Sequence, residues 1–223
     1  MKKAEQPNKA RILIVDDHPM TRAGVTYLIN HQTDITVCGE AENAAEALDF
    51  LAENKPDLML IDITLPGKSG LELIKDVKAI RPELAMLVIS MHDESLYADR
   101  VLRAGARGYI TKHEGGEKLM AAIRQVLSGK IYVSESMSAH ILEIFTGGQT
   151  GSDRSSIQSL SDREFEVFEA LGQGLSSHEI AKKLHLSAKT VDAHRANIKT
   201  KLKINTTAEL ISFAARWMAT QRE

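Results

Sequence analysis

Short apolar runs alternate with amphipathic stretches over the first part of the chain. The runs are rich in Ile, Leu and Val, end in polar or turn residues, and lie at 12–15, 35–38, 58–61, 86–89 and 108–110. Such runs are typical of strands buried on both faces of a parallel sheet. The stretches between them predict helices at about 19–30, 43–54, 69–80, 94–104 and 116–128. Strands alternating with helices predict a doubly wound (βα)5 domain of the α/β class, with strand order 2-1-3-4-5.

The pattern changes after the last of these helices. One more helix is predicted at 134–145, and the Gly-, Ser- and Thr-rich stretch at 146–156 is typical of a flexible tether. From Leu160 onward the pattern is helical, in four short pieces. The chain is therefore predicted to consist of an α/β domain at 10–130, a linker helix and tether at 131–156, and an all-α, four-helix helix-turn-helix domain at 157–220.

Composition and charge narrow the class of protein. Hydrophobic residues make up 43% and charged residues 26%, which excludes wholesale disorder. No stretch approaches the length of a membrane span, the polar N-terminus does not resemble a secretory signal, and the lone Cys38 favours a reducing, cytoplasmic location. Residues 1–159 have a net charge of −4 and residues 160–223 one of +2, which predicts two modules with different partners.

Polar side chains follow four of the predicted strands. They are Asp16 and Asp17 after the first strand, Asp62 after the third, Ser90 at the end of the fourth and Lys112 after the fifth. Because the carboxyl ends of parallel strands meet at one edge of a sheet, we expect these side chains to converge. The second strand ends near Glu40 and is expected to lie away from this cluster.

The cluster has the groups needed for phosphoryl transfer. Three neighbouring carboxylates repel one another unless a cation lies among them, and Mg²⁺ prefers such oxygen ligands. A carboxylate beside Mg²⁺ can accept a phosphoryl group as an acyl phosphate, while a lysine neutralises the phosphoryl oxygens. The simpler alternative is that each aspartate is a turn or helix-capping residue, but turn chemistry does not account for all four strand ends.

These strand ends resemble the receiver domain of two-component response regulators. The resemblance is carried by 14–19, 62–70, Ser90 and 108–112, and covers roughly 10–130. It implies a set of roles. Asp62 is the phosphoacceptor, and the metal site consists of Asp17, Asp62 and the Thr64 carbonyl as Mg²⁺ ligands, with Asp16 assisting through water. Ser90 and Tyr109 are the switch pair, and Lys112 is the phosphoryl contact. In such a switch, the phosphoryl group draws the serine hydroxyl inward and the tyrosine ring turns into the vacated space. Receivers often have a proline and a cis bond after this lysine, where this chain has His113.

The third helix of the C-terminal module has a buried face and a basic outward face. At 100° per residue, Val191, Ile198 and Leu202 fall on one side, opposite Ala193 and Ala196. Small residues allow this helix to approach a DNA groove closely, while the flanking lysines can contact phosphates. Together with the preceding helix and tight turn, it forms a predicted helix-turn-helix. We find no Arg, Asn or Gln on the outward face, so sequence discrimination is expected to depend partly on DNA shape. A solvated or protein-binding basic surface is the alternative.

Residues 160–164, 177–181, 186–194 and 198–202 resemble a LuxR-type DNA-binding domain, and the two modules together resemble the NarL/FixJ class of response regulators. The resemblance implies two sets of residues. The DNA-binding set is Lys189, Thr190, Asp192, Ala193, Arg195, Ala196, Lys199 and Lys201. The dimerisation set, on the last helix, is Leu210, Phe213, Ala214 and Trp217.

The sequence thus predicts a transcription regulator controlled by phosphorylation, with Mg²⁺ as cofactor. The expected partners are a sensor histidine kinase, double-stranded DNA, a second copy of the chain when phosphorylated, and RNA polymerase, with no membrane. An aspartyl-phosphate enzyme is disfavoured because Asp62-Ile63-Thr64 has no second carboxylate two residues on. A dinucleotide binder is disfavoured because Asp-Asp-His-Pro, and not G-x-G-x-x-G, follows the first strand. An adaptor whose basic helices bind protein stays open.

Overall fold

The computed structural model describes residues 9–135, 137–139, 156–157 and 159–220. These residues belong to two compact units that divide after Ser134, and each unit is considered by itself. Most of the predicted linker helix and tether, at 140–155, lies outside the described residues. Within the described part, no helix has both the length and the apolar character required to cross a membrane.

The first unit is a parallel sheet whose strands alternate with helices, as predicted. Its elements are β1 (Ala10–Val15), α1 (Pro19–Asn30), β2 (Ile35–Ala41), α2 (Ala44–Glu53), β3 (Leu58–Ile61), α3 (Gly70–Ile80), β4 (Ala85–Ser90), α4 (Glu94–Ala104), β5 (Gly108–Thr111) and α5 (Gly116–Leu127). The strand order is β2-β1-β3-β4-β5, which confirms the predicted topology. Its central strand, β3, has no exposed side chain, whereas the edge strand β2 is partly exposed.

The hydrophobic core on one face of the sheet sets the register of the strands. Ile12 and Ile14 of β1 pack with Leu58 and Leu60 of β3 in one buried cluster that includes residues of α1 and α5. Because side chains alternate along a strand, a slip of one residue would turn these groups to the opposite face. Burial therefore sets the register and, with it, the position of each strand end.

The register brings the strand ends together. Val15 pairs with Ile61, so Asp16 and Asp62 follow at the same height on neighbouring strands. Ser90 pairs with Thr111, and the Lys112 amide donates to the Ser90 carbonyl at 2.7 Å. The strand pairing thus places the predicted site along one edge of the sheet.

The second unit has four helices among its described residues. They are α6 (Asp162–Gly172), α7 (Ser177–Lys183), α8 (Ala188–Leu202) and α9 (Thr207–Thr220). Capping boxes at Ser161 and Ser176 begin α6 and α7, and the Ser187 side chain caps α8. These caps satisfy amide groups that the first turn of a helix leaves without partners. The four helices predicted from Leu160 onward are all present, and the linker helix predicted at 134–145 lies mostly outside the described residues.

Candidate functional site

The three predicted carboxylates meet at the carboxyl edge of the sheet. Asp16, Asp17, His18 and Asp62 each offer one ligand atom, and these atoms all lie within 4.8 Å of one another. Asp16 and Asp62 are only 2% and 3% exposed. His18 is a neighbour that the sequence analysis did not include; its Nδ1 lies 2.7 Å from Asp17 Oδ1. The pocket is therefore a buried, acidic site with oxygen donors from two strands.

Lys112 joins the carboxylates, as predicted. Its Nζ donates to Asp16 Oδ2 at 2.7 Å and to Asp62 Oδ2 at 2.6 Å, and its side chain is 7% exposed. The peptide bond that follows it is trans. A buried charge is strongly unfavourable unless it is paired and hydrogen-bonded, so the ammonium group stabilises both carboxylates.

Burial also changes the proton affinity of the pocket. It raises the pKa of Asp62 above the usual value, and the neighbouring Asp16 charge adds to this, while Lys112 opposes it. Burial lowers the pKa of Lys112, but Asp62 and Asp16 outweigh that effect and the net direction is upward. A divalent cation among the carboxylates would favour their ionised forms. The set of oxygen donors therefore fits a hard cation such as Mg²⁺.

A histidine connects the remaining predicted residues of the pocket. The Thr64 hydroxyl lies 3.1 Å from His92 Nε2, and the His92 amide donates to Ser90 Oγ at 3.2 Å. The Tyr109 hydroxyl donates to the His92 carbonyl at 2.8 Å, and the tyrosine is only 1% exposed. His92 thus contacts both members of the predicted switch pair and the turn after Asp62. The sequence analysis missed it, although it follows the end of β4 by two residues.

Most of the predicted DNA-binding residues lie on the surface of α8. Lys189, Thr190, Asp192, Ala193 and Ala196 are exposed, and Arg195 and Lys199 are half-buried. Asn197 is exposed too, one turn beyond Ala193. The sequence-based statement that the outward face has no asparagine is therefore wrong, because Asn197 projects within about 40° of Ala193 at 100° per residue.

Four of the predicted DNA contacts already have partners within the unit, and one of them is the Thr190 hydroxyl, which lies 2.7 Å from Ser187 Oγ. Asp192 Oδ1 accepts from Ser177 Oγ at 2.8 Å, and Arg195 Nη1 donates to both Ser177 and Asp192. Lys201 Nζ donates to Glu164 Oε2 at 2.6 Å, which ties α8 to the beginning of α6. Asp192 and Arg195 therefore orient each other, while Lys201 stabilises the packing of two helices.

The predicted dimer residues lie against the inside of the unit. Leu210 and Ala214 are fully buried, and α9 packs closely on α6. The ring of Trp217 lies 5.7 Å from the rings of Phe165 and Phe168 between centroids. The structure gives Leu210 and Ala214 a place in the core instead of the dimer contact predicted for them. Their helix has another, exposed face that the prediction did not separate from this one.

Both units match known families. Residues 12–124 match the response regulator receiver domain, and residues 158–214 match the bacterial regulatory proteins of the luxR family. The first match covers half of the chain. The sheet topology and the acidic pocket also indicate the receiver family. The chain belongs to the response regulators that join a receiver to a LuxR-type DNA-binding domain. This is a family of transcription regulators and not of enzymes.

Among individual relatives, the chain is similar to the oxygen regulatory protein NreC. It is 35% identical to NreC of Staphylococcus haemolyticus (strain JCSC1435) over 210 residues, which span 92% of this chain and 97% of that one. NreC of Staphylococcus aureus (strain JH9) is 36% identical, with the same coverage. This similarity extends over both units, and hence over the pairing of receiver and DNA-binding domain.

The chain is also similar to solved structures of response regulators. RcsB from Salmonella enterica serovar Typhimurium, bound to promoter rprA in the presence of the phosphomimetic BeF3⁻, has a TM-score of 0.63 and 26% identity, over 93% of this chain and 99% of that one. A LuxR-family two-component response regulator from Aurantimonas sp. SI85-9A1 has a TM-score of 0.58 and 34% identity, over 62% and 99%. The observed fold is therefore the fold of LuxR-family response regulators.

Proposed function

We propose that Asp62 accepts a phosphoryl group from a sensor histidine kinase and that this modification controls dimerisation and DNA binding. The observation that carries the proposal is the buried convergence of Asp16 and Asp62 on Lys112. The two carboxylates come from different strands, and Lys112 is 96 residues from Asp16 along the chain. A purely structural role would be served at lower cost by apolar side chains, since buried ion pairs seldom add net stability.

Mg²⁺ is the proposed cofactor. Its direct ligands would be the carboxylates of Asp17 and Asp62 and the backbone carbonyl of Thr64, with Asp16 assisting, and the clustered oxygen donors support this choice. When bound, the ion neutralises charge on the transferring phosphoryl oxygens. Asp16, already bonded to the His18 amide and to Lys112, would then act through water.

Asp62 is the nucleophile in the proposed transfer. One of its carboxylate oxygens forms a bond to phosphorus while the P–N bond of the kinase phosphohistidine breaks and the imidazole leaves. The Lys112 ammonium then exchanges a carboxylate partner for a phosphoryl oxygen, which it can reach from its position 2.6 Å from Asp62 Oδ2. The product is an aspartyl phosphate that carries additional negative charge into the pocket.

Ser90, His92 and Tyr109 carry the signal away from the pocket in this proposal. A phosphoryl group on Asp62 gives the Ser90 hydroxyl a new acceptor, which competes with its contact to the His92 amide. His92 also holds the Tyr109 hydroxyl through its carbonyl group. A shift of this loop therefore changes how firmly the tyrosine ring is held inside, next to α4 and β5.

The DNA-binding domain, proposed to span 157–220, would place α8 in the major groove. Lys189, Thr190 and Lys199 suit contacts to phosphates, while Ala193 and Ala196 allow close approach to the bases. Asn197 adds an amide capable of bidentate contact with adenine. Dimerisation would use the exposed face of α9, which includes Ala208, Ile211, Ser212 and Ala215. RNA polymerase is a further proposed partner, once the dimer is bound at a promoter.

The direct test is Asp62→Ala in the full chain. Wild-type protein treated with acetyl phosphate and Mg²⁺ is expected to dimerise and to bind its DNA at least tenfold more tightly than untreated protein. The variant is expected to give the same affinity with and without the phosphodonor. Asp76→Asn, at a partly exposed site on α3 that pairs with Lys68, serves as control and should respond like wild type. An equal response from Asp62→Ala would contradict the proposal.

A further inference from the structure

An arginine at the start of α1 holds the backbone of the acidic pocket. Arg22 Nη1 donates to the carbonyl oxygen of Asp16 at 2.6 Å. The same guanidinium donates through Nε to Glu40 Oε2 at 3.0 Å and through Nη2 to Glu42 Oε1 at 2.7 Å. Its side chain is only 12% exposed. The family resemblance assigns no role to any of these three charged side chains.

These bonds complete the fixation of Asp16. The Asp16 amide donates to the Ala41 carbonyl at 3.1 Å, and Oδ1 accepts from the His18 amide at 2.8 Å. Oδ2 accepts from Lys112, and the backbone carbonyl accepts from Arg22. Each polar group of this residue therefore has a partner, and Arg22, on α1, connects it to Glu40 of the edge strand β2. Glu40, expected to lie away from the site, is connected to it in this way.

Two glutamates offset the positive charge of Arg22, so the arginine does not oppose a cation. One guanidinium faces two carboxylates, and Glu40 also accepts from the Thr26 hydroxyl at 2.8 Å, which fixes its orientation. Without the two glutamates, an unpaired positive charge would lie beside the metal ligands and repel a divalent ion. The planar fork of arginine can bond three acceptors at once, which a lysine ammonium cannot do with the same geometry.

We propose that Arg22, together with Glu40 and Glu42, is a positioning group that fixes Asp16 for divalent-cation binding. This rests on the metal-assisted phosphorylation proposed above and adds residues to it. Groups that orient metal ligands from outside commonly change metal affinity by 10- to 100-fold when removed. Arg22 would act in this way through the backbone of a ligand-bearing residue.

Arg124 provides a matched control. It lies on α5, where its guanidinium bonds Asp34 at 2.7 and 2.9 Å and Gln32 Oε1 at 2.8 Å. It therefore makes as many hydrogen bonds as Arg22 and also joins separate elements, but its partners do not include the acidic pocket. Loss of either arginine removes three hydrogen bonds, although Arg124 is 45% exposed and Arg22 only 12%. An effect on the pocket is therefore the result that distinguishes the two.

The experiment compares Arg22→Met, Arg22→Lys and Arg124→Met in the full chain. The Mg²⁺ dissociation constant is measured by calorimetry, and amide hydrogen exchange is followed at 16–19 without phosphodonor. Arg22→Met is expected to weaken Mg²⁺ binding about tenfold and to speed exchange at these amides, with Arg22→Lys intermediate. Arg124→Met should stay within about twofold of wild type. In acetyl phosphate reactions, Arg22→Met should raise the half-saturating Mg²⁺ concentration while the rate at saturating Mg²⁺ changes little.

A second variant tests the balance of charge. The pair Glu40→Gln and Glu42→Gln keeps the arginine, so it should also weaken Mg²⁺ binding, and added salt should reduce the effect. Equal Mg²⁺ affinities for Arg22→Met and Arg124→Met would overturn the positioning role while leaving phosphorylation of Asp62 intact. Wild-type protein that neither binds Mg²⁺ nor becomes phosphorylated would overturn the proposed function and this inference with it.

Discussion

The acidic pocket and the surface of α8 use charge in opposite ways. In the pocket, Asp16, Asp62 and Lys112 are buried side chains from distant parts of the chain, and each is bonded to another. On α8, most of the charged groups are exposed and come from fifteen consecutive residues. Burial makes each charge in the pocket dependent on its partners, whereas exposed charges on a helix contribute separately and are screened by salt. A single substitution should therefore disable the pocket but only weaken the DNA-binding face.

The largest expected effect follows from Lys112→Met. This change leaves two buried carboxylates without their ammonium partner, and breaking a buried pair in this way costs about 3–5 kcal/mol. We expect the free energy of unfolding of the first unit to fall by about this amount without Mg²⁺. Because a bound cation replaces the lost charge, Mg²⁺ should stabilise the variant more than wild type in thermal unfolding. Phosphorylation by acetyl phosphate should become very slow.

Lys118→Met is the control for this prediction. Lys118 is 67% exposed and lies 3.6 Å from Glu114, so its ion pair is of the surface type. Such pairs contribute about 0–1 kcal/mol. If both lysine variants lost the same small amount of unfolding free energy and responded equally to Mg²⁺, charges in the pocket would not depend on their partners more than surface charges do.

The two faces of α9 should separate folding from dimerisation. Leu210→Ala removes a fully buried side chain and is expected to cost about 2–5 kcal/mol of stability. Ile211 is 36% exposed, so Ile211→Glu should leave the unfolding free energy nearly unchanged while weakening dimerisation of the phosphorylated protein by tenfold or more. Chemical denaturation and sedimentation measure the two quantities. A stable, fully dimeric Ile211→Glu variant would exclude this face as the dimer contact.

Smaller effects are expected from single lysines of α8. Lys189→Met should reduce the slope of log binding constant against log salt concentration by about 0.9, as for one lost phosphate contact. Lys201→Met should change that slope less and should instead lower thermal stability, because Lys201 bonds Glu164. Fluorescence anisotropy with labelled duplex DNA over a series of salt concentrations gives both slopes. A larger slope change for Lys201 than for Lys189 would contradict the arrangement observed on this helix.

The difference between the two regions also explains what could be predicted from sequence. The positions of Asp16, Asp62 and Lys112 follow from strand ends, because parallel strands with buried faces have a defined register. Arg22 could not be found in that way, since its partners become neighbours only when separate elements pack. His92 follows the end of β4 by two residues, but its contacts to Thr64 and Tyr109 also form only on packing. On α8, local periodicity is sufficient for the buried residues, and it also places Asn197 within about 40° of Ala193 on the outward face.

On α9, periodicity did identify an apolar helix. It did not show which apolar residues face α6 and which face outward, because Leu210 and Ile211 are both apolar and adjacent. Only the packing of the second unit separates them: Leu210 is fully buried and Ile211 is partly exposed. The sequence therefore predicts the elements of the fold and the centre of the site better than it predicts contacts between helices.

Chemical trapping of the modified residue tests the central claim most directly. The full chain is incubated with acetyl phosphate and Mg²⁺, then reduced with borohydride, which converts an aspartyl phosphate to homoserine, and the product is located by peptide mass spectrometry. We predict homoserine at Asp62 in wild type, none when Mg²⁺ is chelated, and none at this position in Asp62→Asn. Homoserine at another aspartate of wild type, with Asp62 unmodified, would contradict the account.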